Sequence, residues 1–163
     1  MLFRSPDSHE LTFLPFFAGE RSTGYHETAH GTVLGLKSAT DTIDIVQAAL
    51  ESVAYRFAEV YDQLNDVAGI KEIIASGGAL RESPVWTQII ADVLAQNLSL
   101  PDVREASSRG AVLLALEMIG EIEGIEKVET PKGREFKFDV KRNAIYKKAR
   151  QRHAKFYKLL INQ

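Results

Sequence analysis

Short apolar segments alternate with longer amphipathic segments along much of this chain, and this alternation constrains the fold more than any other feature. The isoleucine-rich run at residues 70–76 predicts a buried strand, and residues 98–101 predict another. Each run precedes a segment with helical spacing, at residues 84–94 and 105–120. Strands that alternate with helices indicate an α/β layer structure.

Further strands are predicted on both sides of this region. Residues 11–17 read as a strand, which Pro15 restricts to a sheet edge or a bend. A glycine-rich loop then closes into a short strand at residues 32–36. Residues 133–140 alternate with a period of two, which predicts a small edge strand ahead of a terminal helix.

The strongest helix signal begins after Asp41, a good N-cap, and ends at Gly69. Within this helix, apolar residues recur every three or four positions and predict one buried face along about six turns. These residues are Val46, Leu50, Val53, Phe57, Val60 and Leu64.

Several classes of protein are excluded by composition. No apolar run approaches the ~18 residues that span a bilayer, and residues 1–10 show no export signal. The chain has no cysteine, which excludes disulfides and thiolate metal sites. We therefore expect a cytoplasmic protein with no membrane partner.

Charge is distributed unevenly, although the net charge is only −2. The residues after Asp139 contain 8 of the 20 lysines and arginines and no acid. A basic tail on an acidic body is compatible with nucleic-acid binding. The apolar residues Ile145, Ala149, His153, Phe156 and Leu160 recur there at helical spacing, however, and favour a docked terminal helix with solvated lysines. We expect no nucleic-acid partner.

The pair Gly77-Gly78 lies between the predicted strand 70–76 and a helix. Such a turn can bind a nucleotide, because glycine lets a ligand approach the backbone and a helix end offers free N–H groups. Neither G-x-G-x-x-G nor G-x-x-x-x-G-K-[ST] is present, so the local sequence alone favours a plain turn.

Other polar motifs are weak. His26 and His30 are four positions apart, but they lie between glycines and have no third ligand nearby, so we predict no metal site. No nucleophile elbow is present for a serine hydrolase. Glu20 and Arg21 are either a salt-bridged or solvated loop tip or a charged pair that lines a cleft.

Four segments are more informative when read together: FLPFFAGERSTGYHETAHGTVLGL, IVQAALESVAYRF, IIASGGALRESPVWTQIIADVL and EASSRGAVLLAL. In this order and spacing they resemble the C-terminal half of the FGGY family of carbohydrate kinases, with the gluconate-kinase-like and xylulose-kinase-like branches most similar. The chain departs from the family pattern at Thr23, at Tyr25-His26, at His30, and at Ala95, where glycine is typical.

The resemblance implies the RNase H-like fold of the actin/hexokinase-like superfamily, with ATP and Mg²⁺ as cofactors. By position, Gly77 and Gly78 match the glycines that lie against adenosine, where a Cβ would collide with the nucleotide. Ala79 and the turn through Glu82 and Ser83 match the segment that flanks adenine. Glu20 and Arg21 match the cleft-side loop, and the resemblance gives them no role.

The resemblance also implies a missing part. In the family, an Asp that precedes the C-terminal domain accepts the proton of the sugar hydroxyl, and no counterpart occurs here. Residues 1–163 are thus expected to form a partial C-terminal ATP-binding domain, truncated at its N-terminal side, with a terminal helix at 141–163. Alone it should not phosphorylate gluconate or xylulose. The alternative is a non-catalytic remnant that binds a nucleotide or a partner. Exposed sheet edges in a partial domain favour homo-oligomers.

Overall fold

The first two strands along the described residues form a small sheet. In the computed structural model, which describes residues 4–161, β1 (Thr12–Leu14) pairs antiparallel with β2 (Thr32–Leu34), and Thr12 lies opposite Leu34. Both strands are shorter than predicted. Pro15 follows β1 directly, and Gly35, at φ 87°, turns the backbone after β2.

The long helix is confirmed as α1 (Thr42–Ala68). The Asp41 side chain accepts from the Asp44 N–H, and the Asp44 side chain accepts in return from the Asp41 N–H, which completes a capping box. Gly69 ends the helix with φ 60°, a left-handed conformation that glycine adopts without strain.

The buried face of α1 is not the predicted one. Val46 and Phe57 are each 46% exposed, and Leu64 is 55% exposed. The face that meets the core carries these residues instead: Asp44, Gln47, Ala48, Glu51, Ser52, Ala54, Tyr55 and Ala58. Polar side chains can be buried there because they bond to one another and to the chain ahead of β1.

A second sheet of three strands confirms the predicted α/β architecture. β3 (Ile73–Ile74) is parallel to the central strand β4 (Leu98–Pro101), β5 (Gly133–Phe136) is antiparallel to β4, and the order is β3-β4-β5. β5 is therefore an edge strand, as predicted. The elements of this region are β3 (Ile73–Ile74), α2 (Gly78–Glu82), α3 (Pro84–Leu94), β4 (Leu98–Pro101) and β5 (Gly133–Phe136).

Helix α4 (Ala106–Met118) forms where a helix was predicted, but none of its residues is buried. Its apolar residues are largely exposed, since Val112 is 57% exposed and Met118 is 87% exposed. Within the described chain, α4 is followed by a single 3-10 turn at Ile125–Lys127 before β5 begins.

The basic C-terminal segment folds as α5 (Val140–Leu160), with Asp139 as its N-cap, while Asn162 and Gln163 lie outside the described residues. The helix packs on α3 and β1. Its buried side chains are Asn143, Tyr146, Ala149 and His153. Ile145 and Leu160 of the predicted stripe are more than 40% exposed, so the stripe was only partly right.

The main core lies between α1, α3, α5 and the second sheet, where Ala54, Ile90, Leu98 and Tyr146 are almost fully buried. The single tryptophan, Trp86, ties two of these elements together, because its indole N–H donates to the Leu50 carbonyl at 3.0 Å. Among residues 4–161, no helix has both the length and the apolar character needed to cross a membrane.

Candidate functional site

The glycine pair lies at the carboxyl end of β3, beside the carboxyl end of the parallel strand β4. The backbone that leads from β3 to the pair is held by the sheet, because the Ala75 N–H donates to the Ser99 carbonyl at 2.7 Å. Gly77 then turns the chain with φ 109°, and α2 begins at Gly78. Ligands of open α/β sheets bind at this end of the strands.

The space around the pair is open. A Cβ built on Gly77 or on Gly78 would meet no atom within 4 Å, and both residues and Ala79 are exposed. The positive φ of Gly77 explains glycine there, since L side chains rarely adopt that conformation. Gly78 has no such φ, so the described fold gives no reason for glycine at that position.

At the end of this turn, the side chain of Ser83 has a structural role and that of Glu82 is exposed. The Ser83 hydroxyl accepts from the Trp86 N–H at 3.4 Å and caps α3. Glu82 is exposed at the end of α2. Ser83 thus has a role in the fold whether or not it borders a ligand.

A basic pocket that was not predicted from the sequence lies next to the turn. Arg81 forms an ion pair with Asp102 at 2.9 Å, and Lys132 and Arg134 of the β5 region line the same cavity of about 400 Å³. Arg81 is far in sequence from Lys132 and Arg134, so only the fold brings it together with them. Asp102 offsets the charge of Arg81, so Lys132 and Arg134 give the pocket its excess of positive charge.

Glu20 and Arg21 do not act as a pair. The Glu20 carboxylate is buried and forms an ion pair with Arg56 of α1, while Arg21 is exposed. The Arg56 guanidinium lies 5.3 Å from the ring centroids of both Phe16 and Tyr157. The loop is salt-bridged through Glu20, but the partner of Glu20 lies 36 positions away in the sequence and is not Arg21.

The loop still borders a cavity. Ala18, Glu20, Arg21, Tyr25 and Glu27 line a space of about 540 Å³. Burial and the hydrogen bond to Glu20 raise the pKa of Tyr157, which contacts the other side of the loop, to about 12. Tyr157 therefore stays a neutral hydrogen-bond donor at physiological pH. Among the described residues that line the cavity, Arg21 and Glu27 carry charges that form no salt bridge.

Glu51 of α1 is the centre of a buried polar network. Its carboxylate accepts from the amide of Gln47 at 2.8 Å, the hydroxyl of Tyr55 at 3.2 Å and the hydroxyl of Tyr146 at 3.4 Å. Burial, and next the Glu51 charge, raise the pKa of both tyrosines. No pattern of spacing in the sequence distinguishes this glutamate from an exposed one.

Asp7, His9 and Glu51 offer three ligand atoms within 4.8 Å of one another, so we tested whether they suit a metal ion. The Leu11 N–H donates to His9 Nδ1 at 2.9 Å, which places the ring proton on Nε2. That proton is donated to Glu51 at 3.2 Å, and Arg152 holds both oxygens of Asp7. The group is a satisfied hydrogen-bond network and leaves His9 no free lone pair for a metal.

Comparison with known proteins gives a family. Residues 4–118 match the C-terminal domain of the FGGY family of carbohydrate kinases. The gluconokinase of Bacillus subtilis (strain 168) is 32% identical over 125 residues, which cover 76% of this chain and 24% of that protein. The glycerol kinase of Thermococcus onnurineus (strain NA1) is 30% identical and covers 79% of this chain and 26% of its own.

A solved structure of a sugar kinase is also similar to this chain. The crystal structure of xylulose kinase from Rhodospirillum rubrum superimposes with a TM-score of 0.78 at 28% identity, and covers 96% of this chain and 31% of its own. The chain therefore spans about a quarter to a third of the length of these relatives.

Proposed function

The chain belongs to the FGGY family of carbohydrate kinases, and on that premise we propose that it supplies the ATP-binding surface of a kinase that phosphorylates a sugar or sugar-acid hydroxyl. The adenosine lies against Gly77 and Gly78, and Ala79, Glu82 and Ser83 border the adenine. A cytoplasmic location, expected from the sequence, is part of the same proposal.

The observation that carries this proposal is Gly78. It falls within the family match, it is exposed, and neither its conformation nor its neighbours require glycine. Glycine at this position lets a ligand approach the backbone at the start of α2, as the family resemblance implies for adenosine. The adjacent basic pocket adds a potential that favours an anionic ligand.

ATP would enter as a complex with Mg²⁺, which neutralises charge on the phosphates during transfer. We assign no metal ligand to this chain and expect the ion to be held through the phosphates of ATP and by residues outside these 163. The role of the described residues is to bind and orient the nucleoside.

Gluconate is the favoured acceptor, because a gluconokinase is among the relatives of at least 30% identity. Xylulose comes next, since the similar structure from Rhodospirillum rubrum is a xylulose kinase. The glycerol kinase relative adds glycerol to the candidates. The surface around Gly77–Ser83 binds the nucleotide in all three cases, so its geometry does not favour one acceptor.

The 163-residue chain alone is proposed to bind nucleotide without turnover, since no residue in it matches the family's proton-accepting Asp. A coupled assay with MgATP and gluconate, xylulose or glycerol should show no ADP formation above the buffer rate. Turnover that scales with the concentration of this chain would refute that part of the proposal.

Nucleotide binding is tested by calorimetric titration of MgATP into the chain. Gly78→Val should abolish the binding heat while the unfolding midpoint stays nearly unchanged, because an added Cβ at this exposed position meets no protein atom within 4 Å. Gly110→Val is the matched control, since it also adds a side chain in open space, on α4. Equal affinity of wild type and Gly78→Val would contradict the proposed site.

If the wild type itself shows no heat with MgATP, the chain does not bind nucleotide by itself, and the proposal fails for these 163 residues. Binding without turnover would also be expected of the alternative, a non-catalytic nucleotide-binding remnant. A substrate panel on a longer polypeptide that carries this sequence separates the two, because only the kinase shows acceptor-dependent ADP release.

A further inference from the structure

Two cations of the basic pocket stand on a rigid part of the second sheet. Lys132 and Arg134 flank Gly133 at the start of β5, and residues two positions apart in extended chain lie on the same face. Gly133 lies opposite Pro101 of β4, so close that a Cβ there would come 1.9 Å from the Leu100 carbonyl oxygen. The start of β5 is therefore fixed against β4, and both cations are held at one cavity.

Arg81 reaches the same cavity from the last turn of α2. Asp102, which directly follows β4, accepts from its guanidinium at 2.9 Å and fixes one edge of it. The Arg81 side chain is only 22% exposed, so its charge is partly removed from water. Within residues 4–161 its guanidinium makes no other hydrogen bond, so its remaining N–H groups are available to a ligand with several acceptor atoms.

The lining of the cavity has an excess of positive charge, although the chain as a whole has a net charge of −2. Three cations and one carboxylate line it, which leaves two positive charges in excess. Lys132 and Arg134 form no ion pair within the part of the chain that the structure describes. Cations that share one concave surface reinforce each other's potential, so the pocket attracts an anion.

We propose that this pocket binds a phosphate group of a small molecule. A phosphate monoester carries about −1.5 to −2 charges at pH 7, which matches the excess, and its three oxygens accept from several donors. A carboxylate has one charge and two oxygens, and would leave part of the excess unmatched. A cavity of about 400 Å³ has the size of a small-molecule site, whereas nucleic acids bind through many phosphate contacts along a strand.

The phosphate belongs either to the nucleotide proposed for the turn at residues 77–83 or to a separate phosphorylated small molecule, and the recognising chemistry is the same. The site does not depend on the proposed function, because none of its cations is among the residues assigned to the nucleoside. Competition separates the two sources. MgATP displaces bound phosphate only if its own phosphates occupy the pocket, whereas adenosine displaces it in neither case.

Calorimetric titration of inorganic phosphate into the chain, at about pH 8 where phosphate is a dianion, tests the proposal. We expect saturable binding, at least about tenfold tighter than that of acetate at equal ionic strength. Lys132→Gln and Arg134→Gln should each weaken phosphate binding at least about fivefold. Lys137→Gln is the matched control, because Lys137 is exposed in the same segment, loses the same charge and does not line the cavity.

Asp102→Asn tests the charge balance through a gain of affinity. It removes the one carboxylate among the described residues that line the pocket, so phosphate should bind severalfold more tightly. The Asp102 side chain is 81% exposed, so the replacement leaves the fold intact. A gain of affinity cannot come from a misfolded chain, which keeps the test valid if a glutamine variant proves unstable.

Absence of phosphate binding, equal affinity for phosphate and acetate, or equal weakening by Lys137→Gln would each overturn the proposal. Gly78→Val should bind phosphate as tightly as the wild type, since Gly78 does not line the pocket. Phosphate binding by a wild type that does not bind MgATP would remove the proposed function alone. MgATP binding without phosphate binding would remove the phosphate site alone.

Discussion

Tyr157 donates a hydrogen bond to Glu20 across 137 positions of the sequence, with 2.6 Å between the phenolic oxygen and the carboxylate. Arg56 pairs with the other oxygen of the same carboxylate. The glycine loop at residues 18–27 is thereby fixed to α1 and α5 at once. Glu20 is thus an anchor of the loop, and any ligand role on this loop is left to its exposed residues, such as Arg21 and Glu27.

Arg56→Met should destabilise the fold by about 3–5 kcal/mol, because it leaves the Glu20 carboxylate buried without its counter-ion. Urea unfolding followed by Trp86 fluorescence measures the loss. Lys127→Met is the control, since Lys127 pairs with Glu123 at the exposed surface and should cost less than about 1 kcal/mol. In combination with Glu20→Gln, the loss should be smaller than the sum of the single losses.

His153 should make stability depend on pH. It is buried, neither ring nitrogen has a hydrogen-bond partner among the described residues, and burial followed by the charge of Arg56 lowers its pKa to about 4. The unfolded chain takes up this proton at its ordinary value of 6.5, before the folded chain does. Up to about 3 kcal/mol of stability is therefore lost as pH falls from 6.5 to 4.

The measurement is the unfolding free energy at several pH values between 7 and 4. His153→Gln should flatten the profile in this range, whereas His30→Gln, at an exposed position, should leave it unchanged. An equal slope in wild type and His153→Gln would show that other groups cause the acid sensitivity.

Ala95→Gly should stabilise the protein. Ala95 ends α3 with φ 55° and ψ 36°, a left-handed conformation that costs a residue with a side chain about 1 kcal/mol. The net gain is at most about 0.5 kcal/mol, since glycine also loses about 0.5–1 kcal/mol more chain entropy than alanine. A shift of the urea midpoint upward checks this. Ala115→Gly, inside α4, should shift it in the opposite direction.

Gly133→Ala should destabilise the second sheet. A Cβ at this position would lie 1.9 Å from the Leu100 carbonyl oxygen, so β5 would have to move away from β4. Overpacking of this kind costs about 1–3 kcal/mol. Thermal unfolding measures the effect. Gly110→Ala, where the new methyl meets no atom within 4 Å, should instead be neutral or slightly stabilising.

The sequence predicted where helices and strands form far better than which face of each is buried. Caps and breakers are local signals, so Asp41 and Gly69 marked the ends of α1 correctly. The apolar spacing of α1 indicated a real stripe, yet the helix turns its other side to the core. Glu51 can be buried only because Gln47, Tyr55 and Tyr146 donate to it, and the last of these lies 95 positions away.

In the candidate site, too, local sequence signals could be read and contacts between distant residues could not. Gly77-Gly78 was recognisable because its neighbours in sequence carry the family pattern. The basic pocket and the Glu20–Arg56 pair were not, because Arg81, Lys132 and Arg134, like Glu20 and Arg56, meet only in the folded chain. Non-local contacts between ordinary charged residues leave no periodicity or motif in a single sequence.

The position of α5 has a consequence for synthesis on the ribosome. Arg152 reaches back to Asp7 and to the Leu11 carbonyl, and Tyr157 reaches back to Glu20. While α5 is still inside the ribosomal tunnel, β1 and the glycine loop have neither of these partners. Strand β1 must therefore wait, only partly covered, until α5 has emerged.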